Sequence, residues 1–178
     1  DIVLKAEKEG FEREELYHYT EVVDGKRQML YGDIESAEYL LSYRIEADTV
    51  SPVTTTEYQM VERLIANWRE TVLDPGYINV ASTKLKGVSR RLGAGVSSYP
   101  NLRYYALLEG PFSSVDDDWL IELKEVRDPP FIPSLPIDPG LTYATNGERI
   151  VKAQRSMHQF DDSDIFLGWA NDGPLSFR

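Results

Sequence analysis

LGAGVSSYPNLRYYALLEG, residues 92–110, holds two glycines, a short polar patch, and then a run of apolar and aromatic residues. Gly93-Ala94-Gly95 reads in two ways. It is either a tight hairpin turn, since glycine tolerates positive φ at little steric cost, or a loop that cradles phosphate. What comes after the loop narrows the choice. A dinucleotide-binding βαβ unit needs a helix directly after its glycines, and a P-loop ends in Gly-Lys-Ser/Thr. Here Asn101 to Glu109 reads as a strand and no such lysine closes the loop, so both forms are excluded. A strand–glycine loop–strand hairpin remains, the form in which backbone N–H groups lie over nucleotide phosphates.

Working outward, Ile78 to Leu92 reads as the strand before the loop and Trp119 to Val126 as the third strand. Pro111 to Asp118, with three consecutive aspartates, joins the second and third strands. DPPFIPSLPIDPG (128–140) is a proline-rich excursion that stays extended and cannot pair in a sheet. GERIVKAQRSMHQ follows as a helix with Asn146 available as its cap. DIFLGWA (164–170) reads as a fourth strand, Asn171-Asp172-Gly173-Pro174 as a turn, and Leu175 onward as a fifth strand. The expected class is α+β, an antiparallel sheet of about five strands with one packed helix over residues 76–178.

Residues 1–75 are expected to form a lead-in of hairpin and helices. In YHYTEVVDGKRQMLYG the Asp24-Gly25 pair accepts the positive φ angles of a two-residue type I′ turn. Asp33 caps a short helix to Tyr43. Thr54 with Glu57 forms a capping box, and Val61, Leu64, Ile65, Trp68 and Val72 recur at helical spacing. Asp74-Pro75-Gly76 is expected to end that helix.

The 178 residues carry a net charge of −11 and no cysteine. The acidic balance speaks against nonspecific nucleic-acid or anionic-membrane binding, which need a basic surface. Disulfides, zinc thiolates and cysteine nucleophiles are excluded. Two distant histidines, His18 and His158, do not make a multi-histidine metal site. No apolar run approaches the roughly 20 residues that span a bilayer, and no secretory leader is visible. Those features give an expectation of a cytoplasmic protein. Because the chain begins at Asp1 and stops within the strand-like run PLSFR, it is expected to be a fragment of a longer protein.

A phosphate-binding hairpin of this kind makes further demands: a lysine on the third strand and a carboxylate on the following helix to orient it. WLIELKEV supplies Lys124, with Trp119, Ile121 and Leu123 alternating to one face and Leu120, Glu122 and Lys124 to the other. The competing reading is a solvent-face lysine paired with Glu122 or Glu125. On the helix, Glu148 and Gln154 are both candidates to meet Lys124; Glu148 also suits the first turn, where the helix dipole favours negative charge.

The blocks VSRRLGAGVSSY, RYYALLEG, LIELKEVR, NGERIVKAQRSM and DIFLGW, in this order, resemble the bacterial domain of unknown function family 2252. The similarity is clearest over Val88 to Arg178. It implies a protein-kinase-like or aminoglycoside-phosphotransferase-like fold in which the chain is the nucleotide-binding lobe, with ATP and Mg²⁺ as cofactors and an unidentified phosphate acceptor. Carried over by position, Gly93 and Gly95 shape the phosphate loop, with Ser97 and Ser98 completing it. Lys124 contacts phosphate, Glu148 is its partner, and the chain after Asp164 runs toward the adenine side. There are departures. Ser98 stands where the loop's third glycine is usual, and Glu122 where a small apolar residue lies beneath adenine. The Gly-Asp-x-His-x-x-Asn and Asp-x-Asn-Asp-type runs are absent; the resemblance implies a circular permutation that puts them upstream of the glycine loop. Tyr31-Gly32-Asp33-Ile34-Glu35 lacks the histidine and asparagine of a catalytic loop. Two outcomes are therefore expected. Either the chain is the ATP-binding portion of a phosphotransferase, inactive alone, or it is a noncatalytic scaffold that kept the fold.

The remaining candidates are weaker. Asp116-Asp117-Asp118 lacks the glycine and distal glutamate of an EF-hand and reads as a solvated turn, as do Asp161, Asp162 and Asp164. His158 near a helix end suits the C-terminal dipole. Trp68, Trp119 and Trp169 read as core.

Overall fold

The run that follows the glycine loop becomes the most deeply buried strand among the described residues. In a computed structural model, which describes residues 11–31, 49–72, 83–92, 101–112, 114–128, 143–157 and 164–178, Tyr104 to Leu108 are all buried. In chain order the elements are α1 (Phe11–Tyr19), β1 (Thr20–Val23), β2 (Lys26–Met29), β3 (Thr49–Pro52), α2 (Thr55–Trp68), β4 (Leu85–Leu92), β5 (Arg103–Leu108), β6 (Trp119–Val126), α3 (Asn146–Met157), β7 (Ala170–Asp172) and β8 (Leu175–Phe177). β1 and β2 pair as a separate hairpin. The other strands form a six-stranded sheet in the order β3-β4-β5-β6-β8-β7, antiparallel throughout.

β5 lies inside this sheet with apolar layers on both faces, so its sequence is continuously apolar rather than alternating. On one face Tyr104, Ala106 and Leu108 join Val88, Leu123 and Phe177 beneath α2. On the other, Tyr105 and Leu107 pack with Leu16 and Tyr19 of α1, Met29 of β2 and Val50 of β3. The alternation read in β6 holds: Trp119, Ile121 and Leu123 belong to the α2 layer, and Leu120 to the α1 layer.

Local signals explain most of the elements. Asp24 and Gly25 adopt φ of 50° and 71°, both positive as a type I′ turn requires. Thr54 and Glu57 cap α2 reciprocally: Thr54 Oγ1 accepts from Glu57 N at 3.2 Å, and Glu57 Oε2 accepts from Thr54 N at 2.9 Å. α2 buries Met60, Val61, Leu64, Ile65 and Trp68, each worth about 2 kcal/mol in apolar transfer. It ends at Trp68, one turn before the expected stop. The next residues bind elsewhere, with Thr71 Oγ1 accepting from Trp169 N at 2.8 Å. Gly168 permits this approach, because a Cβ there would stand 2.8 Å from Trp68 Cδ1 and 2.9 Å from Thr71 Oγ1. α3 starts with Thr145 as its cap, its Oγ1 accepting from Glu148 N at 3.2 Å. Asn146, the expected cap, bonds Asp128 and Arg149 instead.

The sheet has six strands rather than about five. The addition is β3, a four-residue edge strand whose register partners, Ser89 to Leu92, lie about forty positions later. The fourth predicted strand, Asp164 to Ala170, is realised only from Ala170, and its hairpin turns at Gly173 with φ 57°. The three aspartates of the β5–β6 connection are not a uniformly solvated turn. Asp116 is exposed, but Asp118 is fully buried, 2.7 Å from Lys86 Nζ and 3.9 Å from the buried Arg27. Burial pushes the Asp118 carboxyl up, against the pull of Lys86. Arg27 also donates to Val115 O at 2.8 Å, which fastens β2 to this connection. The expected helix at 33–43, the glycine loop, the breaker at 74–76, the proline-rich run beyond Asp128, His158, Asp161 and Asp162 lie outside the described residues.

Candidate functional site

β4 ends at Leu92 and β5 begins at Arg103, so the Gly93–Ser98 loop joins these strand ends. Gly93, Gly95, Ser97 and Ser98 themselves lie outside the described residues. The platform from which they spring is described, and it carries a line of cations.

The line follows from register. Arg90 pairs with Tyr104, so the next position along the ladder sets Arg91 beside Arg103. Arg103 pairs directly with Lys124. Lys124 and Arg178 exchange both backbone hydrogen bonds, at 2.9 and 3.0 Å, as an antiparallel pair does. Arg91, Arg103, Lys124 and Arg178 therefore occupy four adjacent positions across the sheet, on the face that carries α1. Like charges directly opposite each other destabilise a sheet, so the neutralising groups are informative.

One oxygen, Glu122 Oε1, accepts from Arg91 at 2.9 Å and from Arg103 at 3.1 Å. Glu15 of α1 stands 3.9 Å from Arg91 and accepts from the Tyr105 hydroxyl at 3.3 Å. The Arg91 guanidinium also lies over the Tyr105 ring, 5.1 Å from its centroid, and burial drives the Tyr105 hydroxyl pKa far upward. The other end of the line differs. Arg178 donates to a neutral group, Gln154 Oε1 of α3, at 2.9 Å. Among the described residues no carboxylate is in ion-pair contact with Lys124. Its pKa falls below the usual lysine value, first because the ammonium is partly buried and then because Arg103 and Arg178 repel it; Glu122 opposes the shift.

Lys124, Gln154 and Arg178 share a cavity of about 240 Å³ between β6 and the 164–170 segment, with Leu120 and Phe166 among its apolar walls and the carboxylates Glu15, Glu122 and Asp164 also in its lining. Of the two helix candidates, Gln154 is the one that lines this cavity. Glu148 sits in the first turn of α3, 2.6 Å from Lys152 Nζ and accepting from Ala144 N at 2.8 Å. Lys152 chiefly holds its carboxyl below the usual range. Gly147 seats that helix end on β8: its N–H donates to Ser176 Oγ at 2.7 Å, and a Cβ there would meet Phe177 O at 2.5 Å.

Sequence reading reached Lys124 and Gln154 but not Arg91, Arg103 or Arg178, which lie at unrelated spacings and meet only through strand register. Asp164 uses Oδ1 to accept from Phe166 N at 3.0 Å, a turn contact. Trp68 is core, while Trp169 receives Lys152 and Arg155 over its ring. Among the described residues no group of three acidic or histidine side chains is placed to hold a metal ion, and no helix is long and apolar enough to cross a membrane.

The family model described as "Uncharacterized protein conserved in bacteria (DUF2252)" matches residues 8–177. No curated protein and no solved structure matches the chain.

Proposed function

The chain belongs to this bacterial family, and we propose that it is the nucleotide-binding part of a kinase-like phosphotransferase that takes ATP with Mg²⁺ and an unidentified acceptor. The carrying observation is Lys124, an ammonium with no carboxylate in ion-pair contact among the described residues, in a line of cations at the strand ends that the glycine loop joins. A buried or half-buried cation lacking its counterion favours an incoming anion, because that anion supplies the missing charge-assisted hydrogen bonds. In this reading the Gly93–Ser98 amides close over the phosphates, Lys124 holds them from the strand side, and α3 follows the third strand of the meander as that arrangement requires. Mg²⁺ would shield charge on the phosphates. No described cluster fits it, so the proposal rests on the phosphate contacts alone.

Glu122 and Glu15 favour a second reading, a noncatalytic binding module. They already neutralise the Arg91 end of the line from within the chain. Calorimetric titration of Mg-ATP into the protein, with Lys124→Ala beside it, separates the two. Binding that Lys124→Ala abolishes supports the nucleotide reading. Failure of the folded wild type to bind sinks it and leaves the scaffold.

A further inference from the structure

Contact with one phosphate does not require a line of four cations. Adjacent strands stand about 4.8 Å apart, so Arg91, Arg103, Lys124 and Arg178 extend over roughly 14 Å. They are collinear rather than clustered. A compact anion reaches two neighbouring members, whereas an extended one reaches a third. The charge balance is also uneven along the line. Glu122 and Glu15 form ion pairs with Arg91, and Glu122 with Arg103, while among the described residues neither Lys124 nor Arg178 is in ion-pair contact with a carboxylate: Arg178 donates to the neutral Gln154, and Glu122 acts on Lys124 only from a distance. These two cations occur in a chain of net charge −11, and they line a cavity whose wall also carries Glu15, Glu122 and Asp164.

We infer that the end of the line without ion-paired carboxylates, Lys124 with Arg178, binds a condensed phosphate chain of at least two linked phosphoryl groups, and that Arg178 sets the preference for chain length. Lys124 supplies a point charge to one phosphoryl group. Arg178 offers its planar fork to the next, and Gln154 Oε1 holds the guanidinium in place. A third group reaches Arg103, where it competes with Glu122. The inference shares its site with the nucleotide reading but needs neither base nor sugar, so it also covers free pyrophosphate and tripolyphosphate.

The test is calorimetry at fixed ionic strength with phosphate, pyrophosphate, tripolyphosphate, AMP and ATP. Each is titrated into wild type, Arg178→Gln, Gln154→Glu and an exposed control, Arg63→Gln, whose guanidinium pairs with Asp172 away from the line. Wild-type affinity is expected to rise about tenfold with each added charge-assisted contact, from phosphate to pyrophosphate to tripolyphosphate. Arg178→Gln is expected to remove that step while leaving phosphate itself nearly unchanged. Gln154→Glu hands Arg178 a carboxylate and is expected to weaken tripolyphosphate by a similar factor, which keeps the idea testable should Arg178→Gln not fold. Equal affinity for the three anions, or equal losses in Arg178→Gln and Arg63→Gln, overturns the inference. If ATP binds and Arg178→Gln makes no difference, the inference falls and the nucleotide reading survives. If tripolyphosphate binds through Arg178 and ATP binds no better than its phosphates do, the nucleotide reading falls and the inference survives.

Discussion

Replacing Lys124 by glutamine should make the ligand-free protein more stable. The ammonium lies between Arg103 and Arg178, with Glu122 as its attractive neighbour. Two unit charges about 6 Å apart interact by roughly 3 kcal/mol at an effective dielectric near 20 and by under about 1 kcal/mol in water. Lys124 is only partly buried, so a value near the lower bound, about 1 kcal/mol for each pair, is appropriate. Two repulsions against one attraction leave a net penalty of about 1 kcal/mol, and glutamine keeps most of the side-chain volume while removing the charge. For a chain of this size that corresponds to a rise in Tm of about 2–4 °C.

The gain should shrink at high salt as the repulsion is screened. It should also close at alkaline pH. A lysine whose folded pKa is lowered costs stability while it is charged, so wild type recovers as pH rises through the lowered value toward the ordinary lysine range. Tripolyphosphate should reverse the order: at 100 times Kd it stabilises the binding form by about 2.7 kcal/mol, and the variant should gain little. Differential scanning calorimetry with and without tripolyphosphate measures all of this. A clear fall in Tm for ligand-free Lys124→Gln would refute the reasoning, because it would mean that the ammonium is attractively held and needs no ligand.

Glu57 gives a second pH-dependent prediction, in the acid range, from a group that stabilises the fold when charged. Burial opposes its ionisation, but hydrogen bonds from Thr54 N, the Tyr104 hydroxyl and Thr54 Oγ1, with Arg90 nearby, hold the carboxyl below its ordinary value. Its stabilisation is therefore present above the unfolded carboxylate pKa and lost as pH falls through the folded one; urea titrations across acid pH should show this component in wild type and not in Glu57→Gln. Gly168→Ala should cost about 1–3 kcal/mol by overpacking, since its Cβ would press on the Trp68 ring and Thr71. The measurement is a shift in urea midpoint with unchanged slope, and an unshifted midpoint would show that the 168 backbone moves away freely.

What could be read in advance was local. The Asp24-Gly25 turn, the Thr54–Glu57 box and the two-faced β6 each depend on residues within one element, where propensity and periodicity act directly. β3 gave no such signal: four residues ending in Pro52 are too few to show alternation, and the strand exists because Ser89–Leu92 offers it a partner. The end of α2 was misread because the side chains of its exit, Thr71 above all, are satisfied by Trp169 some hundred positions away. For the candidate site, alternation put Lys124 on the correct face, but no spacing rule links residues 91, 103, 124 and 178. Their alignment is a property of pairing register.

The outer strands bear on how the molecule behaves in company. Among the described residues the six-stranded sheet ends on β3, which closes with Pro52, and on β7, which is three residues long. Proline withholds an N–H from any neighbour, and a strand this short offers few unpaired groups for another chain to continue. At β7 the Asp172 carboxylate is clamped by two bonds from Arg63, at 3.0 and 2.8 Å, so an incoming strand would meet a charged pair rather than a bare ladder. A sheet with so buried a centre is thus poorly suited to growing by edge-to-edge self-association, guarded at both margins by features too small to shape the core.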